Sequence, residues 1–210
     1  MDLYYHIRSP PCQPVAFLIK HMGLEVNYKT ISIYDPKELE VLKQVNPQGT
    51  IPTLVDNGRA IWESHAILIY LAEKYALDDS LYPKDLAERT VVHQRLFFDN
   101  GLLQSASMGN MLPFLRNQPI PAELSAKLKR GLELLEMFLT GSTYVAGEKL
   151  TIADFPAFVS VASLSWMSYD LAPYPNVQRW FDRVSTHIPD LDAMRKQAET
   201  ELRALMATLA

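Results

Sequence analysis

The chain has 210 residues, enough for one large or two compact units with full apolar cores. Hydrophobic residues make up 48% and charged residues 21%, a composition that excludes a disordered chain. Twenty Lys and Arg against 24 Asp and Glu give a net charge of -4 with no basic run, which argues against nucleic acid as a partner.

Leu3 to Ile7, rich in aromatic and branched residues, predicts a strand. Ser9-Pro10-Pro11 reads as a helix start, a hydroxyl cap followed by proline in the first turn. That helix should run to about His21 and stop at Gly23. Val26 to Ile33 predicts a second strand and Lys37 to Val45 a short helix. Thr53 to Val55 and Arg59 to Trp62 flank Asp56-Asn57-Gly58, and Asn-Gly between apolar runs is a strong hairpin signal. Ser64 should then cap a helix to Tyr75, with Ile67, Leu68 and Leu71 at helical spacing. Parallel strands need crossover helices, whereas the last pair needs only a turn. A thioredoxin-like βαβαββα domain over residues 1–77 satisfies both demands.

Residues 78–85 read as a linker, and strand signals fade after it. Residues 86–210 predict an all-helical bundle domain, making the fold class α/β plus all-α. Its helices are expected over Leu86 to Met111, ended by Pro113, then Glu123 to Leu139, Thr151 to Tyr169, Val177 to His187 and Leu191 to Leu209. Thr151 and Asp154 have capping-box spacing, with Leu150 and Phe155 at staple positions. Asn176 is the expected cap of the Val177 helix, and Pro156 should kink the helix begun at Thr151.

Cys12 is the single cysteine, so no internal disulfide forms, in keeping with a reducing compartment. The five histidines lack a metal-ligand spacing, and no metal is expected. No apolar stretch approaches the roughly 20 residues that span a bilayer. The N-terminus shows no secretion signal, so the expected location is cytoplasmic with no membrane partner.

Three places in the first domain could act on a small anionic peptide. Ser9, at a helix mouth, either only caps or donates to a thiolate and lowers that thiol's pKa. Ile51-Pro52 either is an ordinary trans bond entering an edge strand or, if cis, offers the main chain of Ile51 to an extended peptide. Glu63-Ser64 either is a capped acidic helix start or holds the ammonium and carboxylate of a zwitterion.

The stretch NPQGTIPTLVDNGRAIWESHAILIYLAEKY resembles the glutathione-binding core of the cytosolic glutathione transferases. YYHIRSPPCQPV and ESHAI are most similar to the insect delta and epsilon classes, and LTIADF resembles the capping box and staple of the family's helical domain. The resemblance implies that Ser9 hydrogen-bonds the glutathione sulfur. Ile51 would pair with the cysteinyl unit, Pro52 would be the cis proline, and Glu63 and Ser64 would hold the γ-glutamyl end. His65 stands where delta enzymes commonly carry Arg. Asp99 matches an acid that supports the γ-glutamyl site from the neighbouring subunit of a homodimer.

The chain departs from the family at the glycyl end. Gly49 replaces the usual His, and Lys37 lies near the place of a second imidazole. Glutathione should therefore be held weakly there, and Gly49→His should lower its KM by up to about tenfold. Tyr4 and Tyr5 rank below Ser9 as the activating hydroxyl. With Ser9 at the first position, Cys12 has no partner for dithiol exchange.

The implied activity joins the thiolate of glutathione, a co-substrate, to apolar electrophiles, in detoxification of xenobiotics and lipid-derived aldehydes. Pro11 should floor the electrophile pocket, with Leu103, Met108, Met111, Leu112 and Phe114 along its wall. The rival readings are a low-turnover protein that sequesters hydrophobic ligands, and a glutathione-dependent peroxidase or isomerase. Dimerisation is expected to cover Ile67, Tyr70 and the Arg95 to Gly101 stretch.

Overall fold

The β-rich first third folds as a four-stranded mixed sheet of order β2-β1-β3-β4. The strands are β1 (Asp2–Tyr5), β2 (Asn27–Thr30), β3 (Thr53–Asp56) and β4 (Arg59–Trp62). The computed structural model describes the backbone of residues 1–209 and side chains as far as Ala207. β1 and β2 run parallel, joined by the crossover helix α1 (Cys12–His21). β3 is antiparallel to β1 and β4. The β3–β4 turn is tight because Asn57 and Gly58 take φ of 48° and 79°, the left-handed pair such hairpins require.

Leu3 and Leu54 are register partners, both wholly buried. The apolar faces of α1 and α3 (Ser64–Tyr75) pack together, burying Val15, Leu18, Ile67, Leu68 and Leu71. Helix α2 (Pro36–Lys43) starts one residue earlier than expected. Asp35 caps it, accepting from the main chain of Lys37 and Glu38, and Pro36 takes the first position, where no N–H is needed.

The chain divides into two compact units, Met1–Tyr75 with the residues from Ile188 on, and Ala76–His187. The terminal helix α9 (Leu191–Leu209) thus sits with the sheet, whereas residues 86–210 were expected to form one helical domain. Ile188, Leu191 and Ala198 of this segment are buried, and polar contacts to the sheet unit accompany them. Lys20 meets Asp190 at 3.0 Å, and His6 meets Glu201 at 3.2 Å.

The second unit contains α4 (Leu86–Phe98), α5 (Gln104–Leu115), α6 (Ala122–Phe138), α7 (Asp154–Ala162) and α8 (Pro175–Ser185). Asp85 caps α4 through the Glu88 N–H. The single helix expected over Leu86 to Met111 is broken by a π turn, Asp99–Leu103. Gly101 weakens helical preference there, and the wide turn lets Asp99 face inward to accept from Ser160 at 2.7 Å. Helix α5 also runs through Pro113 to Leu115, and the chain turns only at Asn117, with φ of 51°.

The capping box at Thr151 forms, but α7 itself begins at Asp154. Asp154 accepts from the Thr151 N–H at 2.9 Å, and the Thr151 hydroxyl accepts from Ala153 at 3.3 Å. Pro156 therefore falls in the first turn, where its missing N–H has no partner to lose, and the expected kink has no cause. Asn176 does not cap α8. Pro175 opens the helix, and Glu136 of α6 receives the main-chain N–H of Asn176 and Val177 at 3.0 to 3.1 Å. A carboxylate at a helix N-terminus meets both the orphan donors and the dipole.

Candidate active site

Strand register brings four loops to one end of the sheet. Tyr4 pairs with Thr53 and Thr53 with Trp62, while Tyr5 pairs with Thr30. The C-terminal ends of β1, β2 and β4 and the N-terminal end of β3 therefore coincide. Their extensions carry Ser9, the Ile31 to Lys37 loop, Gly49-Thr50-Ile51-Pro52 and Glu63-Ser64-His65.

Ser9 lies in a turn, not in a helix cap. Its N–H donates to the His6 carbonyl and its own carbonyl accepts from Cys12, both at 2.9 Å. The first turn of α1 has Pro11 at its cap position and no side-chain cap. The hydroxyl expected to cap α1 does not cap it and instead hydrogen-bonds the Cys12 side chain. Gln13 fixes the same turn by donating to the Ile7 carbonyl at 3.0 Å. Burial pushes the Cys12 thiol up to about 12, although the His6 main chain and the Ser9 side chain pull it back. Cys12 is wholly buried and is no nucleophile at neutral pH. Tyr5 packs against Tyr28 with ring centroids 4.9 Å apart, and burial raises its phenol against the Thr30 hydroxyl. Tyr4 receives Lys29 at 3.4 Å. Neither tyrosine leads into α1 as Ser9 does.

The loop before β3 is pinned from within. Asn46, wholly buried, donates to the Thr50 carbonyl at 3.0 Å and to the Thr53 hydroxyl at 2.9 Å. Thr53 in turn donates to the Thr50 carbonyl at 2.8 Å. The Ile51-Pro52 peptide held in this network is cis. Asn46 was not singled out from the sequence, since a polar residue before proline reads as an ordinary turn.

Gly49 is buried with φ of +64°, and a Cβ there would stand 2.9 Å from Leu39 Cδ1 and 3.4 Å from Lys43 Cγ. This corrects the expectation for Gly49→His. The position demands left-handed backbone and has little room for a side chain, so added affinity must first offset strain. Lys37 is exposed. Its main chain serves the Asp35 cap.

Glu63 occupies the cap position of α3 that was assigned to Ser64. It is exposed, takes φ of 67°, and its carbonyl accepts from Ile67 at 3.0 Å. A non-glycine residue in the left-handed region is uncommon, and such strain concentrates at binding sites. Ser64 is the first helical residue and is buried, with its hydroxyl 3.4 Å from His65 Nδ1. The first-turn N–H groups of α3, the Glu63 carboxylate and His65 together suit a zwitterionic end group.

Of the residues assigned from the second unit, Asp99 and Leu103 are wholly buried. A carboxylate with no accessible surface cannot touch a neighbouring subunit. Asp99 serves the packing of the π turn on α7 instead. Leu103 packs on α6, where a Cβ at Gly131 would meet its Cδ1 at 3.3 Å. Met111 is also buried, Met108 is half-buried, and Leu112 and Phe114 are exposed. Pro11 is half-buried in the first unit. Among the described residues, no group of three His, Cys, Asp or Glu side chains is placed to hold a metal ion. None of the described helices is long and apolar enough to cross a membrane.

Residues 8–74 match the family model of the glutathione S-transferase N-terminal domain, and residues 98–187 that of the C-terminal domain. Glutathione S-transferase 1-6 from Anopheles dirus species B is 43% identical, with 99% of this chain and 100% of that one covered and a TM-score of 0.93. The chain belongs to the glutathione S-transferase family. A delta-class glutathione transferase of Nilaparvata lugens is 34% identical over 100% of this chain and 99% of that one, with a TM-score of 0.87. An epsilon-class enzyme of the housefly, Musca domestica, is 35% identical over 99% and 97%, with a TM-score of 0.86. This glutathione transferase therefore has insect delta- and epsilon-class proteins among its structural neighbours, and its family uses glutathione as co-substrate.

Two site features were not legible in one dimension. Arg8, adjoining Ser9, is paired with Glu201 of α9 at 3.9 Å, and its guanidinium also reaches Ser32 at 3.4 Å. Nothing in the sequence links positions 8 and 201. An arginine immediately before the turn serine was the one available hint.

Proposed function

We propose that this transferase ionises the thiol of glutathione beside Ser9 and joins the sulfur to apolar electrophiles, xenobiotics and lipid-derived aldehydes among them. The observation that carries the reading is the Ser9 hydroxyl. It belongs to a fixed turn, caps no helix, and lies at the sheet end shared by Ile51-Pro52 and Glu63-Ser64.

Glutathione would lie extended along that end. The main chain of Ile51 pairs with the cysteinyl unit, as a strand adds to a sheet edge. The α3 N-terminus takes the γ-glutamyl carboxylate, Glu63 takes the ammonium, and His65 adds a donor. Lys37 and the Gly49 loop lie toward the glycyl end. The thiol loses its proton to solvent, and the Ser9 O–H donates to the thiolate that remains. The sulfur lone pair then forms a bond to carbon. With a halide substrate the carbon–halogen bond breaks and the halide departs; with an unsaturated aldehyde the π electrons shift and the enolate takes a proton from water. In the first unit Pro11 supplies apolar surface two residues after Ser9; in the second unit Met108, Leu112 and Phe114 of α5 are at least partly accessible, and methionine adapts to varied shapes.

The enzyme is proposed to act as a cytoplasmic homodimer. Ile67 is buried within its own unit and Tyr70 is bound to Asp56, so neither needs a partner. Phe97 of α4, 73% exposed, keeps the Arg95 to Gly101 stretch as the apolar contact. Sedimentation should give twice the 23.8 kDa chain mass. A turnover panel of aryl halides and unsaturated aldehydes, with and without glutathione, tests the activity. Conjugation that depends on glutathione and is lost in Ser9→Ala supports it; turnover undiminished by that substitution refutes the role of Ser9.

A further inference from the structure

The turn that carries Ser9 is clamped on two sides. On one side Gln13 holds the Ile7 carbonyl. On the other, the side chains of His6 and Arg8 converge on a single carboxylate, Glu201 of α9, more than 190 positions away in the sequence. His6 Nε2 lies 3.2 Å from Glu201 Oε2, and Arg8 Nη1 lies 3.9 Å from the same atom. Arg8 Nη1 also contacts His6 Nε2, and Arg8 Nη2 reaches the Ser32 hydroxyl at 3.4 Å. Tyr5 and Glu38 stand at the margin of the cluster.

These groups are costly to bury. The Arg8 side chain is 14% exposed and that of His6 only 8%. Among the described residues, His6 Nδ1 has no hydrogen-bond partner. The largely buried Arg8 guanidinium needs a counter-charge, and Glu201 supplies it; burial, and then the Arg8 charge, lower the His6 pKa and favour its neutral ring. Ser9 follows Arg8 directly, and its N–H is bonded to the carbonyl of His6. The main chain leading into the serine is thus held by Arg8, whose charge α9 neutralises, and by His6 beside it. Removing the carboxylate leaves a buried cation with reason to swing toward solvent, and the turn must follow it.

We infer that Glu201 is a positioning residue for Ser9, acting from the terminal helix through Arg8 and His6. This rests on the reading of Ser9 given above. The contribution is geometric. A hydroxyl displaced by a fraction of an ångström donates poorly to a thiolate, and misplacements of about 1 Å cost up to about a hundredfold in rate.

The experiment is a pH titration of the thiolate absorbance of enzyme-bound glutathione, with kcat and KM, on the parent, Glu201→Gln, Arg8→Gln and Arg8→Lys, each also made on Ser9→Ala. Positioning requires Glu201→Gln and Arg8→Gln to shift the bound thiol the same way, upward by roughly half a unit. Each should lower kcat about tenfold with glutathione KM less affected, and Arg8→Lys should recover part of the loss. On Ser9→Ala, neither should have further effect. A through-space charge effect predicts the reverse, since losing an anion lowers a thiol pKa and losing a cation raises it. Shifts of opposite sign, no shift, or effects that persist on Ser9→Ala overturn the proposal while leaving Ser9 in place. If Ser9→Ala alone leaves the titration unchanged, the reading of Ser9 fails and the proposal with it. Should Glu201→Gln lower the melting temperature enough to confuse the assay, Glu201→Asp, which keeps the charge on a shorter stem, should show the same upward shift in smaller degree, and its absence counts against the proposal.

Discussion

Lys74, in the last turn of α3, meets Oδ2 of Asp56 at 2.6 Å, at the last residue of β3. Tyr70 and Tyr75 donate to the same oxygen at 2.7 and 2.6 Å. The site residues lie at the other end of α3. The helix whose N-terminus is proposed to receive glutathione is thus anchored by a clamp at its C-terminal end. Asp56→Asn should lower stability by on the order of 2 kcal/mol, because a charged acceptor is lost while three donors remain. Urea unfolding of the variant measures this. An unchanged midpoint would show that the clamp is idle.

Two aspartates should give opposite pH signatures. The Lys74, Tyr75 and Tyr70 donors hold the Asp56 carboxyl down at about 2, below its ordinary 3.8. The unfolded chain then binds the proton first as pH falls, so the stabilisation is complete above about pH 4 and is lost toward pH 2. Asp154 is wholly buried, and burial raises its carboxyl to about 6 against donors from Val145, Thr151 and Trp180. Here the folded chain binds the proton more tightly, so stability declines as pH climbs from about 4 to 6 and levels off above. Unfolding free energies across pH 2 to 8 for the parent and each Asp→Asn variant test the signs. Asp56→Asn should flatten the acid limb, and Asp154→Asn the decline between 4 and 6.

Gly49→His should lose stability before it gains affinity. Left-handed φ and the approach to Leu39 Cδ1 together cost about 1–2 kcal/mol. Gly49→His combined with Leu39→Ala makes room for the imidazole. Differential scanning calorimetry and glutathione KM on both variants decide the matter. The single variant should melt lower, and a fall in KM should be clearest in the pair. A single variant that is fully stable would mean the Gly49 backbone is more tolerant than its geometry requires.

Glu136→Ala should cost about 1–2 kcal/mol, since it uncovers the main-chain donors at the start of α8. Asn176→Ala should cost less, because the helix is capped by Glu136 across the unit. Equal losses in thermal unfolding would contradict this ranking.

The legible parts of the chain were those specified by local chemistry. Asn57-Gly58 announced its hairpin because few residues tolerate that turn. The Thr151-to-Asp154 spacing marked a helix start within three residues. What the sequence concealed was settled by distant partners. The π turn follows from Asp99 turning inward to Ser160, and the capping of α8 comes from Glu136. The α9 segment meets the sheet unit through Glu201 and Asp190, beside the buried Ile188, Leu191 and Ala198. Within the site, Ser9, Ile51-Pro52 and Glu63-Ser64 could be picked out as chemistry-bearing, but only strand register shows that they share one end of the sheet. The buried state of Asp99 and Leu103 could not be read from a helical stripe, which looks the same whether it faces a core or a pocket.

The most direct test of the account is the pKa of the thiol of bound glutathione, followed by thiolate absorbance against pH in the parent, Ser9→Ala and Tyr5→Phe. The account predicts a thiol pKa in the parent well below that of free glutathione. Ser9→Ala should move it back toward the free value and lower kcat about a hundredfold, with melting temperature preserved, while Tyr5→Phe leaves the titration where it was. A parent-like titration in Ser9→Ala, together with a raised thiol pKa in Tyr5→Phe, would contradict the account and assign the hydroxyl to the strand tyrosine.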